Sequence, residues 1–177
     1  HEFVQNSNPF YNSSYVLMSL EEKNIDVQTL SDHEIKEKKY KIGIIHATPP
    51  SSYVVKYKLF DQVKFYRQAA DPRKQKPWAD ATSDLVDGKI DIAILWGPLA
   101  GYEAKKAKKP IKIVPLTKEE ITSRGKLVYR FTMGIRRNEP EWEKTINNLI
   151  KDNQEEINQI LRGYGIPLLD SLGNPLK

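Results

Sequence analysis

The first set of residues that could do binding chemistry lies where a strand predicted for 40–47 runs into a helix. Thr48 and Ser51 place two hydroxyl groups at the start of that helix. Such hydroxyls can hydrogen-bond a ligand, but they more commonly cap the helix by accepting from its free N–H groups. The spacing favours the capping role and keeps both residues as candidates for a cleft wall.

A second set follows the strand predicted for 90–95, the most apolar strand of the chain. This strand ends at Trp96, and Gly97 then opens a helix that carries Tyr102. Free N–H groups at a helix start favour ligand binding. Trp96 either lines a cleft there or packs between strand and helix, and its spacing does not decide between the two.

The residues that would indicate catalysis are scattered. The three histidines, His1, His33 and His46, show no metal-ligand spacing, and His46 after a buried strand is more typical of a structural histidine. The sequence contains no His-Glu-x-x-His motif, phosphate loop or Gly-x-Ser-x-Gly motif. We therefore expect a protein that is not an enzyme, with no metal and no cofactor.

The composition is typical of a folded domain. Hydrophobic residues make up 39% and aromatic residues 10% of 177 residues, which is ample for a core. The longest apolar stretch, 90–99, is broken by Asp91 and is shorter than the roughly 20 residues of a membrane span, so we expect none. The absence of cysteine excludes disulfides and cysteine catalysis.

The formal net charge is +5, and lysine supplies most of it in pairs such as Lys38-Lys39 and Lys105-Lys106. A nucleic-acid surface would interleave arginine and aromatic residues in a groove. These pairs lie instead near helix ends and strand starts. They favour a solvated basic face that steers an acidic partner, and we expect no nucleic-acid partner.

Strand and helix patterns alternate, which is typical of an α/β protein. The stretch 40–116 reads as β-α-β-α-β-α-β, and parallel strands joined by helices bind ligands at their carboxyl ends. On either side, strands are predicted at 14–20 and 128–136. A helical stretch at 140–162 is interrupted near Asp152, and a helix at 31–39 is capped by Ser31.

Two segments resemble the polar-amino-acid type of bacterial extracellular solute-binding protein, family 3. Residues 43–49 align with its Gly-x-x-x-Gly-Thr-Thr unit, which holds a ligand carboxyl group, and residues 91–98 align with its Asp-Ala-x-x-x-Asp-x-Pro unit. Here Ala47 replaces the second glycine, Pro49 the second threonine, and Trp96 the aspartate that binds an ammonium. The resemblance implies the fold and speaks against an amino-acid ligand.

A narrower resemblance is to the MxaJ/XoxJ group, the quinoprotein-dehydrogenase-associated, periplasmic proteins of methylotrophs. Trp-Gly-Pro-Leu-Ala-Gly-Tyr at 96–102 is similar to the group's signature. Asn-Pro-Phe-Tyr-Asn-Ser-Ser-Tyr-Val at 8–16 is similar to its Arg-Pro-Tyr-Tyr-Arg-Ser-Ser-Tyr-Val segment. Segments 131–137 and 160–167 also fit, so the resemblance spans nearly the whole chain.

The resemblance implies a type II periplasmic-binding-protein-like fold with two lobes. Residues 1–23 would be partial lobe 1 and hinge, 24–119 would be a complete lobe 2, and 120–177 would be hinge and the C-terminal part of lobe 1. The strand at 14–20 would belong to lobe 1. Members of the group are longer, and we expect this chain to lack the N-terminal part of lobe 1.

The group implies a periplasmic accessory protein of methanol oxidation that interacts with, matures or activates a PQQ-dependent methanol dehydrogenase. The alternative is an ABC-transporter substrate-binding protein for a small organic solute, so an unidentified small ligand also stays open. In either case the partner would bind in the cleft between the lobes. The expected cleft residues are Tyr11, Ser14, Tyr15, Thr48, Ser51, Trp96, Gly97 and Tyr102.

Overall fold

The computed structural model of the chain describes residues 4–68, 71, 73–120 and 127–176. The strands are β1 (Val4–Asn6), β2 (Tyr11–Leu20), β3 (Ile42–Ile45), β4 (Val63–Tyr66), β5 (Ile92–Trp96), β6 (Ile111–Pro115), β7 (Val128–Phe131) and β8 (Gly134–Arg136). The helices are α1 (His33–Glu37), α2 (Ser51–Tyr57), α3 (Pro77–Val86), α4 (Gly97–Lys106), α5 (Pro140–Asp152) and α6 (Gln154–Gly163).

The large sheet has the strand order β4-β3-β5-β2-β6. The β3 strand pairs in parallel with β4 and with β5, as the alternation of strands and helices predicted. The β6 strand, expected in the same parallel set, pairs instead antiparallel with β2. The α/β class is confirmed, and the sheet is mixed rather than wholly parallel.

The β2 strand is the long central strand of the molecule. Its second half pairs with β5 and β6, and its first half pairs with β7. The strand at 14–20, expected in lobe 1, therefore lies in the middle of the large sheet, because both of its faces are apolar and buried. The domain boundaries at 23 and 119 stay a prediction.

Both faces of the large sheet are covered by helices, which explains why its strands are apolar on both sides. On one face, Leu17 and Ile44 pack with Tyr53 of α2. On the other face, Met18 packs with the helix residues Leu85 and Ala100. The strand ends are thereby fixed between two layers of helices, and the loops at those ends form the candidate site.

The C-terminal region differs from its predicted form in one element. The strand expected over 128–136 is two short strands, since β7 pairs with β2 while β8 pairs with β1. The predicted helix interruption is confirmed: α5 ends at Asp152, and the side-chain amide of Asn153 donates to the Leu149 carbonyl at 2.8 Å. Within α5 and α6, Ile150 is the buried residue, so their apolar stripe stays largely exposed.

The predicted cap of α1 is wrong. Asp32 rather than Ser31 occupies the position before the helix, and its carboxylate accepts hydrogen bonds from Gln28 and Thr29. The Ser31 hydroxyl lies 2.9 Å from the Thr29 hydroxyl. Within the described residues, none of the helices combines the length and apolar character needed to cross a bilayer.

Candidate functional site

A groove lies at the carboxyl ends of the parallel strands β3 and β5, where α/β sheets bind ligands. Its inner part, the first hollow, has a volume of about 290 Å³. The lining residues are Tyr15, Ile45, Thr48, Gln68, Pro77, Trp78, Leu95, Trp96 and Leu99. Three of the expected cleft residues, Tyr15, Thr48 and Trp96, therefore come together here.

The groove continues into a second hollow of about 420 Å³, which shares Tyr15 and Trp96 with the first. Its other lining residues are Pro49, Tyr129 and Phe131. The sequence reasoning did not select Tyr129 or Phe131. The available signal was their spacing: aromatic residues two apart on a strand share one face.

An aromatic cluster centred on Trp96 forms the wall between the two hollows. The Trp96 ring lies 5.2 Å from the Tyr15 ring and 5.3 Å from the Tyr129 ring, both edge to face. The Phe131 ring lies 5.8 Å from Trp96 at an angle of 40°. Aromatic pairs in these geometries are individually favourable, so the cluster is held in one arrangement.

Tyr11 packs against this cluster through Phe131. Its ring stacks on Phe131, with centroids 4.1 Å apart and planes 4° from parallel, because the two residues are directly opposite in the β2–β7 pair. Burial raises the pKa of the Tyr11 phenol. Tyr11, an expected cleft residue, supports the wall without lining either hollow.

The phenols of the wall are uncharged at neutral pH. Burial, and secondly the neighbouring Tyr129 phenol, raises the pKa of Tyr15 to about 12. Burial also raises the pKa of Tyr129. Within the described residues, neither hydroxyl makes a hydrogen bond, so both are available to a bound molecule.

The β3–α2 junction is closed by its own side chains. The Thr48 hydroxyl donates to the Ile45 carbonyl at 2.6 Å, and the Ser51 hydroxyl donates to the same oxygen at 3.3 Å. Ala47, which directly precedes Thr48, has φ 61°, a left-handed conformation that favours glycine. This position is the one at which the family 3 unit has its second glycine.

The α2 helix that follows is anchored to the segment before residue 121. The Tyr57 hydroxyl donates to the Glu119 carboxylate at 3.2 Å, and the Leu30 N–H donates to the other carboxylate oxygen. The Tyr53 hydroxyl donates to the Glu120 carbonyl. Burial raises the pKa of Glu119 despite these hydrogen bonds.

The β5–α4 junction is closed by backbone contact. A Cβ on Gly97 would overlap the Ser14 carbonyl and lie 3.0 Å from the Pro167 ring. A Cβ on Gly101, one turn later, would overlap the backbone of Gly165. The two glycines of the 96–102 segment thus let α4 pack directly against the C-terminal turn, and Gly97 is buried rather than part of the groove.

The other expected cleft residues lie elsewhere. Ser14 is fully buried, and its hydroxyl has no partner among the described residues. Ser51 lines a separate hollow with His46 and Phe65. Tyr102 is on the exposed face of α4, where the Lys106 ammonium lies 4.7 Å from its ring centroid.

The groove offers no metal chemistry from the residues that are described. In that part of the chain no three histidine, aspartate or glutamate side chains are grouped to hold an ion. As far as the structure describes the lining of both hollows, its only ionisable side chains are tyrosines. The arrangement is suited to apolar, aromatic and hydrogen-bonding contacts.

Comparison with known sequences supports a relationship to proteins called MoxJ. The chain is 22% identical to protein MoxJ of Methylorubrum extorquens over 94% of its length, and 23% identical to protein MoxJ of Paracoccus denitrificans over 96%. It spans 58% and 65% of the lengths of these relatives. No protein-family model matches the chain.

Solved structures of XoxJ and MxaJ are also similar to this chain. The crystal structure of the periplasmic binding protein XoxJ from Methylobacterium extorquens is 34% identical, with a TM-score of 0.77 over 95% of this chain and 74% of that one. MxaJ from Methlophaga aminisulfidivorans is 24% identical, with a TM-score of 0.68 over 94% of this chain and 71% of that one.

A reconstructed ancestral cationic amino acid solute-binding protein has the same fold, at 16% identity and a TM-score of 0.61, over 93% of this chain and 63% of that one. The fold is therefore that of the periplasmic solute-binding class, with a groove at the strand ends. Within that class, the 34% sequence identity to XoxJ, over 95% of this chain and 74% of XoxJ, shows the family. The chain belongs to the MxaJ/XoxJ group.

Proposed function

We propose that this chain belongs to a non-enzymatic periplasmic accessory protein of methanol oxidation, whose groove engages a PQQ-dependent methanol dehydrogenase. Membership of the MxaJ/XoxJ group supports the association with methanol oxidation. The observation that carries the proposal is the braced aromatic wall around Trp96 in a strand-end groove. Large, rigid aromatic side chains are the residues that most often anchor protein partners.

The positive charge of the chain is consistent with an encounter between proteins. A net charge of +5 speeds association with an acidic partner, and the gain falls as salt screens it. The uncharged groove would then hold the complex through desolvated aromatic contacts, which salt weakens little. Such a division predicts an association rate that depends on salt and a dissociation rate that does not.

A transport receptor for a small organic solute is the second candidate. The first hollow, about 290 Å³, is the observation that favours it, because a volume of this size accommodates a small molecule. The described residues of its lining do not include the charged groups that an amino acid would require. A solute for this groove would therefore differ from the ligands of the amino-acid-binding neighbours.

The partner proposal is tested by immobilising the chain and passing purified PQQ-dependent methanol dehydrogenase over it at low and at moderate salt. Retention at both is expected, together with a loss of about tenfold or more in affinity for Trp96→Ala, as at interface hot spots. Trp142→Ala is the matched control, because Trp142 lies half-exposed on α5, outside the groove. Absence of retention at both salt concentrations would refute the proposal.

A further inference from the structure

The described walls of both hollows carry no formal charge. Among the described residues, the lining side chains include no aspartate, glutamate, lysine, arginine or histidine. A charged ligand entering such a site would lose hydration without gaining a counter-charge, which is strongly unfavourable. The described lining therefore favours an occupant that is uncharged in the part that enters the groove.

The junction at 48–52 also has no free donors for a carboxylate. The N–H groups of Thr48, Ser51 and Ser52 all donate within the turn, at 3.4, 2.9 and 3.2 Å. Pro49 and Pro50 have no N–H group. An amino-acid carboxylate would find none of the backbone donors that a helix start usually supplies.

The wall offers ring surfaces in several orientations. The Trp96 plane is 61° from that of Tyr15 and 86° from that of Tyr129. The Tyr11 ring stacks on Phe131 and so supports this arrangement. A flat ring can meet such a wall in the edge-to-face and offset-stacked geometries that aromatic rings prefer, with little ordering cost.

The wall offers two hydrogen-bond donors. The hydroxyls of Tyr15 and Tyr129 have no partner among the described residues, and the raised pKa of each keeps it protonated at neutral pH. A cavity of about 150 Å³ can hold benzene. The first hollow, at about 290 Å³, has room for a ring with a polar substituent, and Tyr15 lines it. Tyr129 lines the second hollow, which shares Tyr15 with the first.

We propose that the groove binds an uncharged aromatic ring that carries a hydrogen-bond acceptor, as a phenol does. The inference rests on the proposed function of the groove as a recognition site. Ring faces meet the aromatic wall, and the acceptor takes a hydrogen bond from Tyr15 or Tyr129. Such a ring has two sources, a free aromatic solute or an aromatic side chain of a partner protein.

The three tryptophans provide a test within the chain. Trp78 and Trp96 line the first hollow, whereas Trp142 lies on α5 and is 51% exposed. The indole N–H signals of the ¹⁵N-labelled chain are followed by NMR during titration with p-cresol and, separately, with N-acetyl-L-tyrosinamide. Saturable shifts of the Trp78 and Trp96 signals, with Trp142 unchanged, are expected.

The two probes separate the sources. Tighter binding of p-cresol assigns the site to a free aromatic solute, and tighter binding of N-acetyl-L-tyrosinamide assigns it to a residue of a polypeptide. Cyclohexanol, which keeps the hydroxyl but lacks the aromatic ring, should bind at least about tenfold more weakly, and L-arginine should cause no saturable shift. Equal affinity for cyclohexanol, saturable binding of arginine, or no saturable shift with either aromatic probe would overturn the proposal.

The hydrogen bond is tested with Tyr129→Phe combined with Tyr15→Phe, which keep both rings. The double variant should bind p-cresol about fivefold more weakly, the effect of one lost hydrogen bond, and toluene equally well. Unchanged affinity for p-cresol would show that no acceptor is recognised. No dehydrogenase is present in these titrations, so their failure leaves the retention experiment intact, and failed retention with saturable titrations would refute only the protein partner.

Discussion

The two strand–helix junctions that border the groove are built in different ways. At the β3–α2 junction, the hydroxyls of Thr48 and Ser51 close the turn on the Ile45 carbonyl. At the β5–α4 junction, Gly97 and Gly101 let the backbone of α4 touch other backbone directly. The sequence presents both as a strand followed by small or hydroxyl residues, yet one depends on hydrogen bonds and the other on the absence of side chains.

The difference decides how each junction supports the groove. Hydrogen bonds within a turn are local, and losing one costs on the order of 1 kcal/mol. Close backbone contact joins α4 to the C-terminal turn, and an added methyl group there moves two elements apart. The β5–α4 junction, which holds Trp96, should therefore tolerate substitution far less than the β3–α2 junction.

The largest effect is expected for Gly101→Ala. Its new methyl group would overlap the Gly165 backbone, so the free energy of unfolding should fall by about 3 kcal/mol. Urea denaturation followed by circular dichroism measures the change. Gly163→Ala is the matched control, because its methyl group would meet nothing within 4 Å. Equal effects of the two substitutions would mean that the close contact does not govern stability.

Thr48→Val should lower the free energy of unfolding by about 1 kcal/mol, because it removes one hydrogen bond from a half-buried turn and keeps the side-chain shape. The same denaturation measurement applies. Ser51→Ala is the comparison, with a smaller loss expected since its hydroxyl bond is longer, at 3.3 Å. If Thr48→Val lowered the free energy of unfolding as much as Gly101→Ala does, the two junctions would not differ in their tolerance of substitution.

The α2 side should also respond to pH. Because burial raises the pKa of Glu119 in the folded state, its contribution to stability is present below pH 4.5 and is lost as pH rises through the folded pKa. Glu119→Gln should remove this decline. The variant should therefore lose less free energy of unfolding between pH 4 and pH 7 than the wild-type chain does. Unfolding free energies at several pH values test it. Glu120→Gln is the control with the opposite sign, since Lys56 lowers the pKa of Glu120.

The smallest effect is expected for Ala47→Gly. Glycine relieves the left-handed φ of 61°, although it also gains freedom in the unfolded chain, so stabilisation should stay below about 1 kcal/mol. Ala104→Gly inside α4 should instead destabilise by about 1 kcal/mol. If Ala47→Gly destabilises as much as Ala104→Gly, the conformation of Ala47 carries no strain.

Local patterns were sufficient to predict most of the elements. The proline at the start of α3, the apolar β5 strand and the interruption before Gln154 all depend on neighbouring residues, and all were predicted correctly. The cap of α1 was missed because Ser31 and Asp32 are both good capping residues, and only the turn at Gln28 decides between them. The split of β7 from β8 depends on two different partner strands, which no local pattern specifies.

The candidate site was predicted in part. Tyr15, Thr48 and Trp96 line the groove, since each lies at a strand end where local pattern places it. Tyr129 and Phe131 were missed because they reach Trp96 through the β2–β7 pair, whose residues are more than a hundred positions apart in sequence. Gly97 was expected in the groove and is buried, because Pro167 packs on it from the far end of the chain.

The sequence by itself determined the alternation of strands and helices, the apolar strands, and the resemblance to the MxaJ/XoxJ group, because these follow from residue type and short spacing. The tertiary structure alone decided that β2 inserts between β5 and β6, and that aromatic residues from β2, β5 and β7 form one wall. The physical reason is that pairing across a sheet depends on burial of both partners, and burial is a property of the assembled layers rather than of either strand.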